Sequence, residues 1–231
     1  MSVAHEIGVL LFPGVTQLDF AGPWEVLTRI PGANCRLLAA DLQPVRSASG
    51  LSVLPTATYA ECPQLDVICV PGGPGHLRAM EDQALLGFLR GQAPGCRYLT
   101  AVCTGSLVLA AAGLLQGYRA TTHWLSLDRL AAFGAIPVGN RVVIDRDRVT
   151  GGGVTAGIDF GLRLVALLAG DALARETQLQ IEYAPAPPFA DGDPGTADPD
   201  VLDAVRQRND VYTAKMAEVD ARAAARLKAI L

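Results

Sequence analysis

An α/β fold built on a mostly parallel sheet is what this sequence predicts, on three observations. Glu6 to Phe12 and Leu65 to Val70 are near-continuous apolar runs, the pattern of strands buried on both faces. Strand-like and helix-like segments alternate along the chain. Hydrophobic residues make up 50% of the 231 positions, enough for one substantial core.

The first run stops at Pro13-Gly14, and Asp19 to Arg29 is predicted helical, with Gly22-Pro23 in its first turn, where proline's missing N–H does no harm. Arg36 to Ala40 is a second strand. Val45 to Thr58, interrupted by Gly50 and Pro55, predicts an excursion or hairpin. The third strand, Leu65 to Val70, ends at Pro71 to Gly75, and a helix follows over about Asp82 to Gln92. Tyr98 to Val102 leads into Cys103, a Thr104-Gly105-Ser106 turn, and an Ala/Leu-rich helix reaching Leu115. Arg119 to Thr122 is a short strand, and Trp124 to Phe133 a helix closed by Gly134. Arg141 to Ile144 and Arg148 to Thr150 form a hairpin, and Gly151-Gly152-Gly153 leads into a helix near Thr155. A helix over Ala172 to Glu182, the Pro/Gly-rich break Tyr183 to Gly195 and a charged helix over Asp200 to Leu231 complete the chain. The expected organisation is an α/β domain over 1–189, with an extension over 190–231 packed on the domain or on a dimer partner.

The formal net charge is −4 and no Lys/Arg-rich run occurs, so the footprint of a nucleic-acid binder is missing. No uncharged stretch that is apolar throughout reaches the ~18 residues of a membrane span, so none is expected. Met1 to Glu6 has no basic region or cleavage site, so no signal peptide is expected. Five cysteines without a Cys-x-x-Cys pair, and three scattered histidines, predict reduced thiols and no metal site.

The chemistry concentrates at Cys103. Strand, nucleophile and helix in that order make an elbow that exposes one side chain on a tight turn. A cysteine at a helix N-terminus is expected to favour the thiolate. A buried core thiol is the bland alternative. Sites on open parallel sheets form at the C-terminal strand ends. If the strands are neighbours, Asp19, the amides of Gly72 and Gly73, and Cys103 share one cleft. Asp19 is equally a helix N-cap, and Gly72-Gly73 equally a plain turn whose bare amides can approach a substrate or thiolate. His123 is either a partner for Cys103 or a structural residue, and Trp124 is more often core than site.

These segments resemble the ThiJ/PfpI superfamily, whose fold is flavodoxin-like. The resemblance rests on the acid after the first strand, Pro71-Gly72-Gly73, the Cys103 elbow, Ala120 to Trp124 and Thr155 to Asp159. Leu18 to Pro23 and Tyr183 to Pro188 narrow it to the isocyanide hydratases within that superfamily. The resemblance implies a cytoplasmic, homodimeric hydro-lyase without cofactor or metal, converting an isocyanide and water to an N-substituted formamide. Cys103 is the implied nucleophile. Asp19 is the acid that protonates the isocyanide carbon and then activates water against a thioimidate. Thr104 is the hydroxyl that holds Asp19 or the thiolate, or else a helix cap. Gly72, Gly73, Trp124 and Val154 are the implied substrate contacts, with His123 accessory and the Gly151 to Gly153 segment a candidate hinge. Two departures from the wider superfamily stand out. Asp19 replaces a glutamate, and Leu125 occupies the place of the acid in an amidotransferase triad. A glyoxalase or deglycase of the same superfamily, and a redox or ligand sensor, are the competing readings.

Overall fold

The computed structural model describes residues 5–229. The N-terminal segment on which the signal-peptide expectation rests falls partly outside that range, as do the last two residues of the expected tail helix. Chain order begins with β1 (Glu6–Leu10), α1 (Gln17–Leu27), β2 (Asn34–Ala39), β3 (Val45–Arg46), β4 (Ser52–Val53) and β5 (Ala57–Thr58). Then come β6 (Val67–Val70), α2 (His76–Ala79), α3 (Gln83–Gln92), β7 (Tyr98–Val102), α4 (Gly105–Ala111) and β8 (Arg119–Ala120). A 3-10 helix (Trp124–Phe133) precedes β9 (Ile136–Pro137), β10 (Val142–Asp145) and β11 (Arg148–Gly151). Three helices close the chain: α5 (Ala156–Ala169), α6 (Asp171–Gln180) and α7 (Pro199–Lys228).

Seven strands form one sheet in the order β10-β11-β7-β6-β1-β2-β5. Only the β10–β11 pair is antiparallel. All four residues of β6 are fully buried, as expected of a strand with helices on both faces. The order sets β1, β6 and β7 side by side with parallel register, so the loops after them open at one sheet edge. Asp19, Gly72 and Cys103, far apart in sequence, meet there for this reason.

Several expected boundaries move. Helix α1 starts at Gln17, so Pro23 lies inside it rather than in the first turn. Close packing on α5 compensates: Gly157 and Gly161 present a bare surface, and a Cβ at Gly157 would stand 3.0 Å from Pro23 Cδ. Asp19 is not an N-cap; Thr16 holds that place, and the Asp19 side chain bonds elsewhere. Trp124–Phe133 is 3-10 rather than α-helical, and α2 is an element the sequence reading passed over. Helix α7 packs on this same domain, burying Met216, Val219, Ala223 and Leu227 in the common core. Among the described residues no helix is long and apolar enough to cross a membrane.

Candidate active site

Cys103 is the residue at the turn between β7 and α4, and its φ of 56° lies in the left-handed region that a side chain rarely adopts. Such strain persists only where the surroundings over-determine it. Here the Cys103 N–H is shared between the carbonyls of Gly151 and Gly152, both at 3.0 Å. The Cys103 carbonyl accepts a 2.7 Å bond from the Thr122 hydroxyl. Gly105 lets the elbow press against β6, since a Cβ there would overlap the Val70 carbonyl oxygen. Cys103 as a whole is 4% exposed.

Asp19 is fully buried opposite the elbow. Its Oδ2 accepts the Gly72 N–H at 3.0 Å, while Oδ1 has no partner of good geometry among the described residues. Burial pushes its pKa from 3.8 up to about 7, against the pull of the Cys103 thiol and the Gly72 amide. The same forces act on Cys103, whose pKa rises through burial and then through the Asp19 charge; the Thr104 and Val154 amides pull it back. The expected preference for free thiolate is therefore corrected. The sulfur is desolvated and faces a carboxylate, and two amides of a short helix and a loop do not outweigh both. Each group thus shifts the other: the Asp19 charge raises the thiol, and the thiol pulls the carboxyl down.

Two further expectations change in detail. The Thr104 hydroxyl bonds neither Asp19 nor the sulfur: it accepts the Gly73 N–H at 3.0 Å, and the Thr104 backbone amide is what serves the thiol. The amides of Gly72 and Gly73 are consequently committed to Asp19 and Thr104 and are not free for substrate. Gly72 must still lack a side chain, because a Cβ there would stand 2.9 Å from Cys103 Cβ.

On the other flank, His123, Trp124, Gly153 and Val154 line a cleft of about 450 Å³. Val154 brings its amide to the thiol, as the Gly151 to Gly153 segment directs it. His123 stacks on Trp124, with ring centroids 5.9 Å apart. Its Nδ1 accepts from the Leu125 N–H at 3.3 Å, and burial lowers its pKa. This is a capping histidine, and among the described residues it makes no hydrogen bond to Cys103.

The sequence reading missed His76 and Tyr212. His76 is fully buried at the head of α2, with Nδ1 2.9 Å from the Gly73 carbonyl. Tyr212 of α7 sets its hydroxyl 3.4 Å from the same nitrogen. Neither lies in a local pattern, and the 136 positions between them hide the pairing from any sequence window.

Known proteins match this arrangement. The chain is 54% identical over 225 residues to the isonitrile hydratase of Pseudomonas putida, a match spanning 97% of this chain and 99% of that one. The crystal structure of a ThiJ/PfpI family protein from Pseudomonas syringae superposes with a TM-score of 0.93 at 44% identity, covering 95% of this chain and 91% of that one. The HTH-type transcriptional regulator GbdR of Pseudomonas aeruginosa is 35% identical over 178 residues, which span 74% of this chain but 48% of the regulator. The DJ-1/PfpI family profile matches residues 5–167, and with the buried acid, the glycine-lined turn and the cysteine elbow in place this chain belongs to the DJ-1/PfpI family.

Proposed function

We propose that this protein is an isocyanide hydratase, adding water to an isocyanide to give an N-substituted formamide. The carrying observation is the near full-length identity to an isonitrile hydratase, in a chain that pairs a strained cysteine with a buried, raised-pKa aspartate. Isocyanides are small and neutral and need no cationic clamp, and Asp19, Gly72, Gly73, Cys103 and Thr104 supply none.

The pair supplies every proton. Asp19 carboxylate takes the thiol proton and delivers it to the terminal carbon as sulfur attacks that carbon, leaving a thioimidate on Cys103 and Asp19 ionised again. Asp19 then takes a proton from water as the hydroxide adds to the thioimidate carbon, and passes that proton to nitrogen. The C–S bond breaks as the C=O forms, and the hydroxyl proton returns through Asp19 to sulfur. The products are the formamide and the starting Cys–Asp pair. Trp124 and Val154 are assigned to the substituent of the isocyanide, Gly72 and Thr104 to holding Asp19 and the elbow. We assign the protein to the cytoplasm as a homodimer that works without metal or cofactor.

Formamide production from a simple aryl isocyanide tests this, with wild type beside Cys103→Ala and Asp19→Asn. Turnover by wild type, abolished in Cys103→Ala and reduced on the order of 10²- to 10⁴-fold in Asp19→Asn, is expected. Methylglyoxal consumption without formamide production sinks the reading in favour of a glyoxalase.

A further inference from the structure

Two motifs of the sequence, Thr155 to Asp159 and the tyrosine that opens Tyr183 to Pro188, take no part in the proposed chemistry. The fold joins them. Asp159 Oδ2 accepts the Tyr183 hydroxyl at 2.9 Å, and Arg141 Nε and Nη2 both lie 2.7 Å from the same oxygen. The guanidinium also donates through Nη2 to Thr155 Oγ1 at 3.2 Å. Arg141 immediately precedes β10, Tyr183 follows α6, Thr155 is the N-cap of α5, and Asp159 lies in the first turn of that helix.

This network spans the segment that serves the nucleophile. Strand β11 ends at Gly151, and Gly152 and Gly153 have no side chains to hold their path, while glycine leaves a backbone freer than any other residue does. Beyond them, Val154 brings its amide to the Cys103 thiol. The position of that amide must be set from outside the segment, and Arg141 meets the segment on either side of Gly153 and Val154. On the near side, the Arg141 carbonyl accepts the Gly152 N–H at 2.8 Å, and the Gly152 carbonyl accepts the Cys103 N–H at 3.0 Å. Two hydrogen bonds thus connect Arg141 to the elbow. On the far side, the guanidinium engages the Thr155 hydroxyl, which makes no cap bond to its own helix. Asp159 aims the guanidinium by taking two of its nitrogens on one oxygen, and Tyr183 holds that carboxylate in turn.

We infer that Arg141, aimed by Asp159 and Tyr183, is a positioning residue for the nucleophile, fixing the Gly152 to Thr155 segment so that the Val154 amide stays on the Cys103 sulfur and the Gly152 carbonyl on the Cys103 N–H. The three side chains exchange no proton and touch no reacting atom. The inference concerns the reactivity of Cys103 itself and is tested without an isocyanide, so its failure and that of the hydratase reading are told apart.

The test is the rate of iodoacetamide alkylation of the folded protein, read on the Cys103 peptide by mass spectrometry. A hydrogen bond to sulfur favours the thiolate, so its loss slows alkylation, whereas simple loosening exposes the thiol and speeds it. Arg141→Met keeps the side-chain stem and the backbone bond to Gly152 and removes the guanidinium. Alkylation about fivefold slower than wild type is expected, a modest effect because the Arg141 side chain is 51% exposed and water competes for it. Arg141→Lys, which still offers a cation to Asp159 and Thr155, should recover part of the loss. Tyr183→Phe should slow alkylation less than Arg141→Met, and adding it to Arg141→Met should slow it no further, since the tyrosine acts only by aiming the guanidinium. Alkylation unchanged or faster in Arg141→Met overturns the inference, and a lowered melting temperature beside it would make the network structural only. A lysine variant no better than methionine, or losses that add in the double variant, also overturns it.

Discussion

The two flanks of Cys103 are built on opposite plans. Toward β1 and β6, every group is fixed by backbone: Gly72 holds Asp19, Gly73 holds Thr104, and Gly105 is wedged under the Val70 carbonyl. Toward β11 and α5, the elbow is flanked by an open cleft whose side chains His123 and Trp124 stack on each other, with His123 also bonded to the Leu125 amide. The contrast separates two tasks. Proton chemistry needs a carboxyl held in one place in a dry site, where its pKa can be raised. Admitting substituents of different sizes needs room, and a cleft can change its side chains without disturbing the acid.

The largest effect should come from breaking the fixed flank. Gly105→Ala forces a methyl group into the Val70 backbone, which cannot rotate away. A loss of about 3 kcal/mol is expected in denaturant titration, with activity lost as the elbow shifts. A variant as stable and active as wild type would show the flank to be far softer than its packing implies.

The Asp19 carboxyl gives the fixed flank a pH signature. Its folded pKa, about 7, exceeds the ordinary 3.8, so the folded state binds the proton more tightly than the unfolded chain does. The stabilisation this contributes is fully present below about pH 4 and is lost as pH rises through 7. Thermal melts across that window should show wild type losing stability relative to Asp19→Asn, by roughly a few kcal/mol in total. The catalytic profile runs the other way. In the proposed mechanism the singly protonated Cys–Asp pair is the reactive form, so kcat/KM should rise through about pH 7. A profile flat from pH 5 to 9 would break the link between the raised carboxyl and the reaction.

On the open flank the effects should be smaller and of another kind. Trp124→Ala removes a cleft wall while leaving Asp19 and the elbow untouched. An increase in KM of about tenfold for bulky aryl isocyanides is expected, with kcat nearly unchanged, as befits lost binding that is equal in ground and transition states. A fall in kcat with constant KM would move Trp124 from the substituent to the reacting atoms.

What the sequence disclosed follows the same division. The elbow is legible because strand, cysteine, glycine and helix are consecutive, and each residue type states its own requirement. The role of Asp19 is half legible: its type and place after β1 are visible, but its meeting with Cys103 depends on β1, β6 and β7 lying side by side. Pro23 misled the placement of α1, because the glycine surface on α5 that lets a proline sit inside a helix lies far along the chain. The helix-end argument for a thiolate at Cys103 counted the amides and not the desolvation, which only burial reveals. Tyr212 and His76 were invisible, since their pairing exists only once α7 has folded back over α2.

His123 gives the smallest expected effect and the sharpest test of the comparison. It is the residue that a Cys–His scheme would make indispensable. Its Nδ1 is occupied by the Leu125 N–H, its ring is stacked on Trp124, and burial lowers its pKa, so at neutral pH it has no proton to give and no charge to activate a thiol. The acid at hand is Asp19, on the opposite flank. His123→Gln offers its side-chain oxygen to the Leu125 amide while removing the imidazole, so activity should change by about twofold or less, with the pH profile unmoved. A profile that loses its step near pH 7 in this variant would transfer the proton chemistry to the open flank and erase the distinction between the two. The groups that shift the Cys103 thiol are Asp19 and the Thr104 and Val154 amides, and His123 is not one of them.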